Sequence, residues 1–283
     1  MAVPAFSDIS KASNDVLGKD FYHLTPVSLD VKTVAANGVT FTAKGKSAGD
    51  KLSGNLETKY ADKKNGLTLT QGWNTANALD TKVELADTLT PGLKAEVVGS
   101  VVPDKKKDAK LNLTYAHQAF TARTFLDLLK GPTVNADFTA GKDGVTLGGT
   151  ASYDINAASV TKYAFAVGYK APDYSISLSA LDNVKLFSAG YYHKVSPLVE
   201  VGGKATYDSK SSIANPVALE VATKYQVDST AFVKAKIADS GIASFAYSQD
   251  LRKGVKLGLG AAIDVLKLNE ATHKLGVSLS FSA

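Results

Sequence analysis

From Val27 to Phe281 the chain consists of short segments in which apolar and polar residues strictly alternate, joined by small polar turns. Leu52-Ser53-Gly54-Asn55-Leu56-Glu57-Thr58-Lys59-Tyr60 is the clearest. Its Ser53, Asn55, Glu57 and Lys59 share one parity, and apolar or uncharged residues hold the other. Successive side chains of a β-strand point to opposite faces, so one face here is greasy and the other carries every charge. Thr81, Val83 and Leu85 oppose Asp80, Lys82 and Glu84 in the same way, and Leu275, Val277, Leu279 and Phe281 oppose Lys274, Ser278 and Ser280. Such strands fit either a half-buried soluble sheet or a barrel with lipid outside and water inside.

Segment length and aromatic placement favour the membrane. Turn chemistry at Asn65-Gly66, Thr90-Pro91-Gly92, Asp143-Gly144, Ser240-Gly241 and Lys253-Gly254 divides the chain into about nineteen segments, most of about eight to ten residues. They begin near residues 27, 38, 52, 67, 79, 93, 109, 119, 133, 145, 161, 173, 184, 198, 217, 230, 240, 254 and 273; the least regular is 119–128, interrupted by Arg123 and Asp127. A tilted membrane strand needs about nine to eleven residues, against five or six for an average soluble strand. Tyr60, Trp73, Tyr115, Tyr153, Tyr169, Tyr207, Tyr225 and Phe281 each lie at the C-terminal end of a segment with apolar-side parity. Odd and even strands of an up-and-down meander end on opposite sides, so these rings predict belts at both interfaces. Nineteen strands about 4.8 Å apart, tilted by about 40°, would enclose a cylinder on the order of 35–40 Å across, too wide for side chains to fill. An odd count also requires one parallel pair for closure.

Residues 1–20 follow a different period. Phe6, Ile9, Ala12, Ser13, Val16 and Leu17 fall on one side of a 3.6-residue helix, with Asp8, Lys11, Asn14 and Asp15 elsewhere around it. The stripe suits a helix docked on a surface, one lying at a membrane interface, or a plug inside a barrel. The expected organisation is therefore a helix over 1–20 and one barrel domain over 21–283, with no linker-like stretch between them.

Composition adds exclusions. No run of about 18 apolar residues could form a membrane helix, and a mean hydropathy of -0.03 fits strands that are half wet and half greasy. Met1 to Phe6 followed by Ser7, Asp8 and Ser10 lacks the layout of a secretory signal, which a bacterial outer-membrane protein normally begins with. With no cysteine, and with His23, His117, His193 and His273 at no ligand spacing, neither a metal site nor a disulfide is expected. Gly45-Lys46-Ser47 imitates the end of a phosphate-binding loop, but Thr40 stands where its first glycine should be; Gly258-Leu259-Gly260 lacks the third glycine of a dinucleotide fingerprint. No enzyme activity, cofactor or nucleic-acid function is expected. On the water-side parity Lys44, Lys46, Lys59, Lys82, Lys94, Lys204, Lys224, Lys234, Lys236 and Lys256 outnumber Asp30, Glu57, Asp80, Glu84, Glu96 and Glu220. Most such residues are simply a solvated wall, yet together they would enrich anions in a pore, more so at low salt.

These residues carry a resemblance. The chain resembles the mitochondrial outer-membrane porins, the voltage-dependent anion channels, and the fungal members more than the animal ones. The likeness runs end to end: Met1-Ala2-Val3-Pro4, Asp8, Lys11, Asp15 and Lys19 in the helix, Gly66-Leu67-Thr68 leading to Gly72-Trp73-Asn74-Thr75, Gly92-Leu93-Lys94, Tyr225-Gln226-Val227-Asp228 through Asp239-Ser240-Gly241, and His273-Lys274-Leu275-Gly276. The resemblance implies an all-β, nineteen-stranded transmembrane barrel with an amphipathic helix in or against the lumen. It further implies a voltage-gated, weakly anion-selective diffusion pore for ions, ATP, ADP, phosphate and respiratory substrates.

By the same resemblance Lys19, Lys59 and Lys94 contribute to selectivity and gating with Asp15 opposing them, while Lys46 joins them by its water-side parity; Gly92, Leu93 and Lys94 resemble a nucleotide contact, although a turn leading into a strand explains that tripeptide equally. Lys274, Gly276, Leu279 and Phe281 resemble the terminal-strand signal read by the outer-membrane sorting machinery. Gln71 occupies a membrane-facing position where some animal members carry an acid, and the animal glycine-rich hinge is replaced by Gly18-Lys19-Asp20-Phe21-Tyr22-His23, which argues against an easily swinging helix. Membrane lipids, hexokinase-like partners and self-association also follow from the resemblance. The related mitochondrial protein-import pore and a soluble all-β binding protein are the alternatives. The first would be expected to carry a longer N-terminal extension and acidic lumenal patches; the second would be monodisperse without detergent.

Overall fold

The computed structural model describes residues 3–48, 51–62, 64–88, 90–103, 106–129, 131–211, 216–270 and 272–283. Met1 and Ala2, quoted above for the resemblance, lie outside them. The strands are β1 Val27–Val34, β2 Thr40–Ala48, β3 Lys51–Asp62, β4 Leu67–Asn74, β5 Leu79–Ala86, β6 Leu93–Val102 and β7 Lys106–Ala116. They continue as β8 Phe120–Asp127, β9 Thr133–Lys142, β10 Val145–Asp154, β11 Ser159–Lys170, β12 Tyr174–Leu181 and β13 Leu186–Lys194. The last six are β14 Val199–Asp208, β15 Val217–Gln226, β16 Ala231–Ala238, β17 Ile242–Arg252, β18 Val255–Asp264 and β19 Lys274–Ser282.

Each strand pairs antiparallel with the next, and β19 returns to pair with β1 in parallel, so the 19-stranded sheet closes on itself. Closure removes every free edge, the condition for placing a sheet in lipid, where an unpaired backbone group has no water to satisfy it. The seam brings Val27, Leu29 and Val31 opposite Val277, Leu279 and Phe281, so the greasy parity runs unbroken across it.

Register carries that parity around the ring. Val31, Ala43, Leu56 and Trp73 form one outward row, and Leu69, Val83 and Val97 belong to another. Leu52 and Leu275 are 80% and 75% exposed, which lipid explains and water does not. All eight strand-end aromatics take the outward parity, on both rims. The irregular stretch forms β8, with Arg123 and Asp127 on the inner face and Phe120, Ala122 and Thr124 outside.

Several strand starts move by two or three residues from the sequence reading. β7 begins at Lys106 rather than 109 because Lys107 and Asp108 put charge on both parities and hide the alternation. β11 begins at Ser159 rather than 161, beside a register shift at Ser152 and Tyr153.

The N-terminal segment is a 3-10 turn at Phe6–Asp8, the helix α1 at Lys11–Gly18, and a second 3-10 turn at Tyr22–Leu24. The regular helix is thus shorter than the 1–20 expected. Val3 contacts β8 through Thr121, and Tyr22 lies against β18 and β19. About twenty residues, eight of them helical at about 1.5 Å each and the rest at most about 3.4 Å, reach from β8 to β19 only across the concave side. The segment therefore lies inside the barrel, on the face that carries the charges.

Candidate functional site

The segment is fixed to the inner wall at three places. At its start, the Thr121 hydroxyl donates to the Val3 carbonyl at 2.6 Å and the Thr139 hydroxyl to the Pro4 carbonyl at 2.7 Å. Beside them Arg123 grips Asp137, its cross-strand partner, with Nε 3.0 Å from both carboxylate oxygens and Nη2 2.8 Å from one. Its other reach is to the Ser7 hydroxyl, 3.3 Å from Nη2.

The middle is α1. Ser13, Val16 and Leu17 turn to the wall, where Val16 and Leu17 cluster with Ala222 and Tyr192. Burying each of the two aliphatic chains contributes roughly 1.5–3 kcal/mol. The wall beneath is bare backbone: Gly148, Gly168, Gly190 and Gly202 lie under Phe6 and Ile9, Ile9, Ser13 and Val16, and a Cβ on any of them would fall within 3.1 Å of those side chains. This packing selects the lumenal placement from the three open for the stripe.

The C-terminal end of α1 meets Lys234 of β16. Its ammonium donates to the backbone carbonyls of Asp15 at 3.1 Å and Lys19 at 2.7 Å, and stands 4.8 Å above the Phe21 ring. The Asp15 carbonyl also accepts the Lys19 N–H at 3.1 Å, and the last carbonyls of a helix carry partial negative charge, so a cation there is well placed. Lys234 has parity like its neighbours on the wall, but it is 3% exposed and engaged by the helix. It is removed from the lumenal positive excess to which the sequence reading assigned it.

The third place is Tyr22–Leu24, against β17, β18 and β19. The Tyr22 hydroxyl donates to Ser248 Oγ at 3.1 Å. Burial raises the Tyr22 phenol above its ordinary value. His23 is buried, with Nδ1 unpartnered, and its pKa is held below the usual histidine range, first by burial and then by Lys236 and Lys274.

The segment's contacts fall between β8 and β19, so the arc from β1 to β7 faces the open lumen. On this arc the lysines divide. Lys44, Lys46 and Lys59 point inward without an ion pair among the described residues. Lys82 and Lys94 are instead built into a cluster. Glu84 and Glu96 are cross-strand neighbours, and the two lysines bridge them: Lys82 at 3.1 and 3.2 Å, Lys94 at 3.4 Å to Glu96 and in direct contact with Glu84. Asn112 Nδ2 adds a bond to Glu96 at 3.1 Å. Like charges directly opposite destabilise a sheet pair, and the diagonal lysines offset them. The cluster is neutral overall.

The other sequence-selected residues take these positions. Asp15 and Lys19 pair with each other at 2.7 Å on the lumenal end of α1, at a cleft of about 460 Å³ that Glu200 and Lys224 also line. Gly92 has φ +85° and its N–H donates to the Asp87 carboxylate at 2.7 Å, so the β5–β6 turn accounts for it. Gln71 points outward between Thr58 and Thr81. Lys274 and Gly276 face inward; Leu279 and Phe281 face outward beside the seam.

Arg123 with Asp137, Lys234 and the glycines under α1 were not singled out from sequence. The glycines left a readable sign: each interrupts a strand on the lumenal parity, where glycine weakens pairing and often marks the close approach of other atoms.

The family model described as "Eukaryotic porin" matches residues 2–276. The chain belongs to the eukaryotic porin family. This porin is 58% identical, over the whole of both chains, to the Candida albicans protein named mitochondrial outer membrane protein porin. It is 47% identical, again over both whole chains, to the Saccharomyces cerevisiae protein named non-selective voltage-gated ion channel 1. An engineered Rh. blastica porin matches with a TM-score of 0.51 at 10% identity, covering 86% of this chain and 91% of that one, which is a likeness of fold.

Proposed function

We infer that this porin is a voltage-gated diffusion pore of the mitochondrial outer membrane that passes ions and small metabolites, ATP and ADP among them, with a weak preference for anions. One observation supports it above the rest: a closed ring with a greasy, aromatic-belted exterior holds a wide wet interior whose N-terminal segment is packed against one side only. A backbone cylinder of about 35–40 Å leaves a passage on the order of 15 Å beside a helix about 10 Å thick and the wall side chains. Solutes of metabolite size pass that gap without shedding their water, so no tight site is needed.

The preference for anions comes from Lys44, Lys46 and Lys59, none of which is held in an ion pair among the described residues, on the arc opposite the helix. Lys94 contributes less, because Glu84 and Glu96 already answer it. For the same reason a nucleotide contact at Gly92-Leu93-Lys94 requires a phosphate to displace those carboxylates. Lys19 and Asp15 act as a pair at the helix end, and a field across the membrane acts on them at about 2.3 kcal/mol per charge per 100 mV. Lys274, Gly276, Leu279 and Phe281 serve as the sorting signal, and Gln71 presents an uncharged amide to lipid. Docking of a hexokinase-like partner and self-association are further proposals, tested by co-purification from native membranes.

Reconstitution in a planar bilayer tests the reading. Stepwise conductance that falls to smaller states at both voltage polarities supports it; properly folded protein that gives no steps, or a current blocked by presequence peptides, favours the import pore instead.

A further inference from the structure

The terminal strand offers two kinds of position to the lumen. Lys274, Ser278 and Ser280 project side chains, and Gly276 between them projects none. Gly276 is the cross-strand partner of Gly260 on β18. A glycine pair gives no side-chain contact across the sheet and weakens both strands, so its place in an otherwise regular wall calls for a cause. The cause lies above it. A Cβ on Gly276 would overlap the Tyr22 carbonyl oxygen and stand 2.6 Å from its carbon and 2.8 Å from His23 Cα. A Cβ on Gly260 would stand 2.5 Å from the His23 nitrogen and 2.8 Å from the Tyr22 nitrogen. These neighbours are backbone atoms, which cannot rotate away. Next to the pair, Gly258 leaves room for the Tyr22 ring, whose hydroxyl reaches Ser248 on β17. Two residues beyond the turn, the Pro26 carbonyl accepts from Val277 N at 2.9 Å, and β1 begins its parallel pairing with β19.

We propose that Gly276 and Gly260 are positioning residues: together they form a backbone seat for Tyr22 and His23, and through that seat they set where α1, Asp15 and Lys19 stand in the pore. This role is separate from recognition of Lys274, Gly276, Leu279 and Phe281 by a sorting machinery. It belongs to the finished barrel, because half of the seat is on the last strand. The Tyr22–Leu24 turn therefore takes its seat only after the last strand has paired with β18. Docking of that turn reports that the ring is complete.

The chain has no cysteine, so single reporters can be placed cleanly. Protein refolded from denaturant into detergent micelles bypasses sorting altogether. In that material we would compare alkylation by a water-soluble maleimide at His23→Cys, buried in the seat, and at Leu24→Cys, 72% exposed. The docked segment should hold the first reporter at least about tenfold slower than the second. Adding Gly276→Ala should raise the His23→Cys rate by about tenfold, towards that of the exposed reporter, while β-sheet content and single-channel steps persist. Gly260→Ala, outside the sorting motif, should do the same from the neighbouring strand. Gly99→Ala, in open space with no atom nearer than 3.9 Å, should change nothing. Folded Gly276→Ala or Gly260→Ala protein with an unchanged His23→Cys rate would overturn the proposal. So would failure of both alanine variants to fold while Gly99→Ala folds normally, since the glycines would then serve the barrel itself.

Discussion

The Lys234 ammonium donates to the Lys19 carbonyl at 2.7 Å, tying a wall strand to the chain just past the end of the helix. A second bond to the Asp15 carbonyl and the Phe21 ring beneath complete the hold. Lys234→Met keeps the aliphatic stem and removes the donors, so the docked state should lose on the order of 1.5–3 kcal/mol per bond to the charged group. The rate of maleimide labelling at Leu17→Cys, buried in the native barrel, should rise at least about tenfold. Ion selectivity should move less than for Lys46→Met, because the Lys234 charge is already engaged by the helix.

Glu84 and Glu96 face each other across β5 and β6 with Lys82 and Lys94 bridging them. Glu84→Gln should free lysine charge and raise the anion-to-cation permeability ratio. Paired removal by Glu84→Gln with Lys94→Gln should return it near its starting value. Both are read from reversal potentials in a salt gradient at low ionic strength, where screening is least.

Arg123 is half-buried against the buried Asp137, their side chains 19% and 6% exposed. Asp137→Asn leaves a half-buried guanidinium without its counter-charge, a loss below the roughly 3–5 kcal/mol that a fully buried pair would cost. Its thermal unfolding midpoint in micelles should fall. Replacing both residues with apolar ones of similar size, Arg123→Met with Asp137→Leu, should recover much of that loss. The bond to Ser7 would go with it, so labelling of the first residues should increase.

His23 gives docking a pH dependence. Its imidazole is neutral when buried between Lys236 of β16 and Lys274 of β19, and its docked pKa lies below the ordinary 6.5. The undocked segment thus binds a proton more readily. Well above pH 6.5 both states are neutral and docking carries no penalty from this group. As pH falls below 6.5 the penalty grows, and it levels off below the docked pKa. Labelling at Leu17→Cys should therefore speed up on acidification when corrected for the reagent, and His23→Gln should remove that acid dependence.

Much of the fold was legible because a period of two is the strongest signal a strand can carry, and it places lipid-facing Leu275 and lumenal Lys274 without any tertiary knowledge. Bulges and ragged ends were less so: Lys107-Asp108 breaks the alternation where β7 begins. The site was legible only by face. Parity put Lys46, Lys94 and Lys234 on one wall, and they proved to be a charge unpaired among the described residues, a neutralised one and a helix clamp. Those differences come from register and from contacts across the lumen. Glu84 meets Glu96 only when β5 and β6 are aligned, and Lys19 meets Lys234 across more than two hundred residues of chain. The lumenal glycines were the missed clue, since their parity already traced the path of the N-terminal segment.

A wide pore whose open lysines favour anions should be polarised by chloride in a salt gradient. The reversal potential of single reconstituted channels under a tenfold KCl gradient tests it most directly, with Lys46→Glu plus Lys59→Glu alongside the parent chain. The parent should reverse on the chloride side, and the double variant should shift towards the potassium side. A parent potential on the potassium side, or one that the double variant leaves in place, would contradict it.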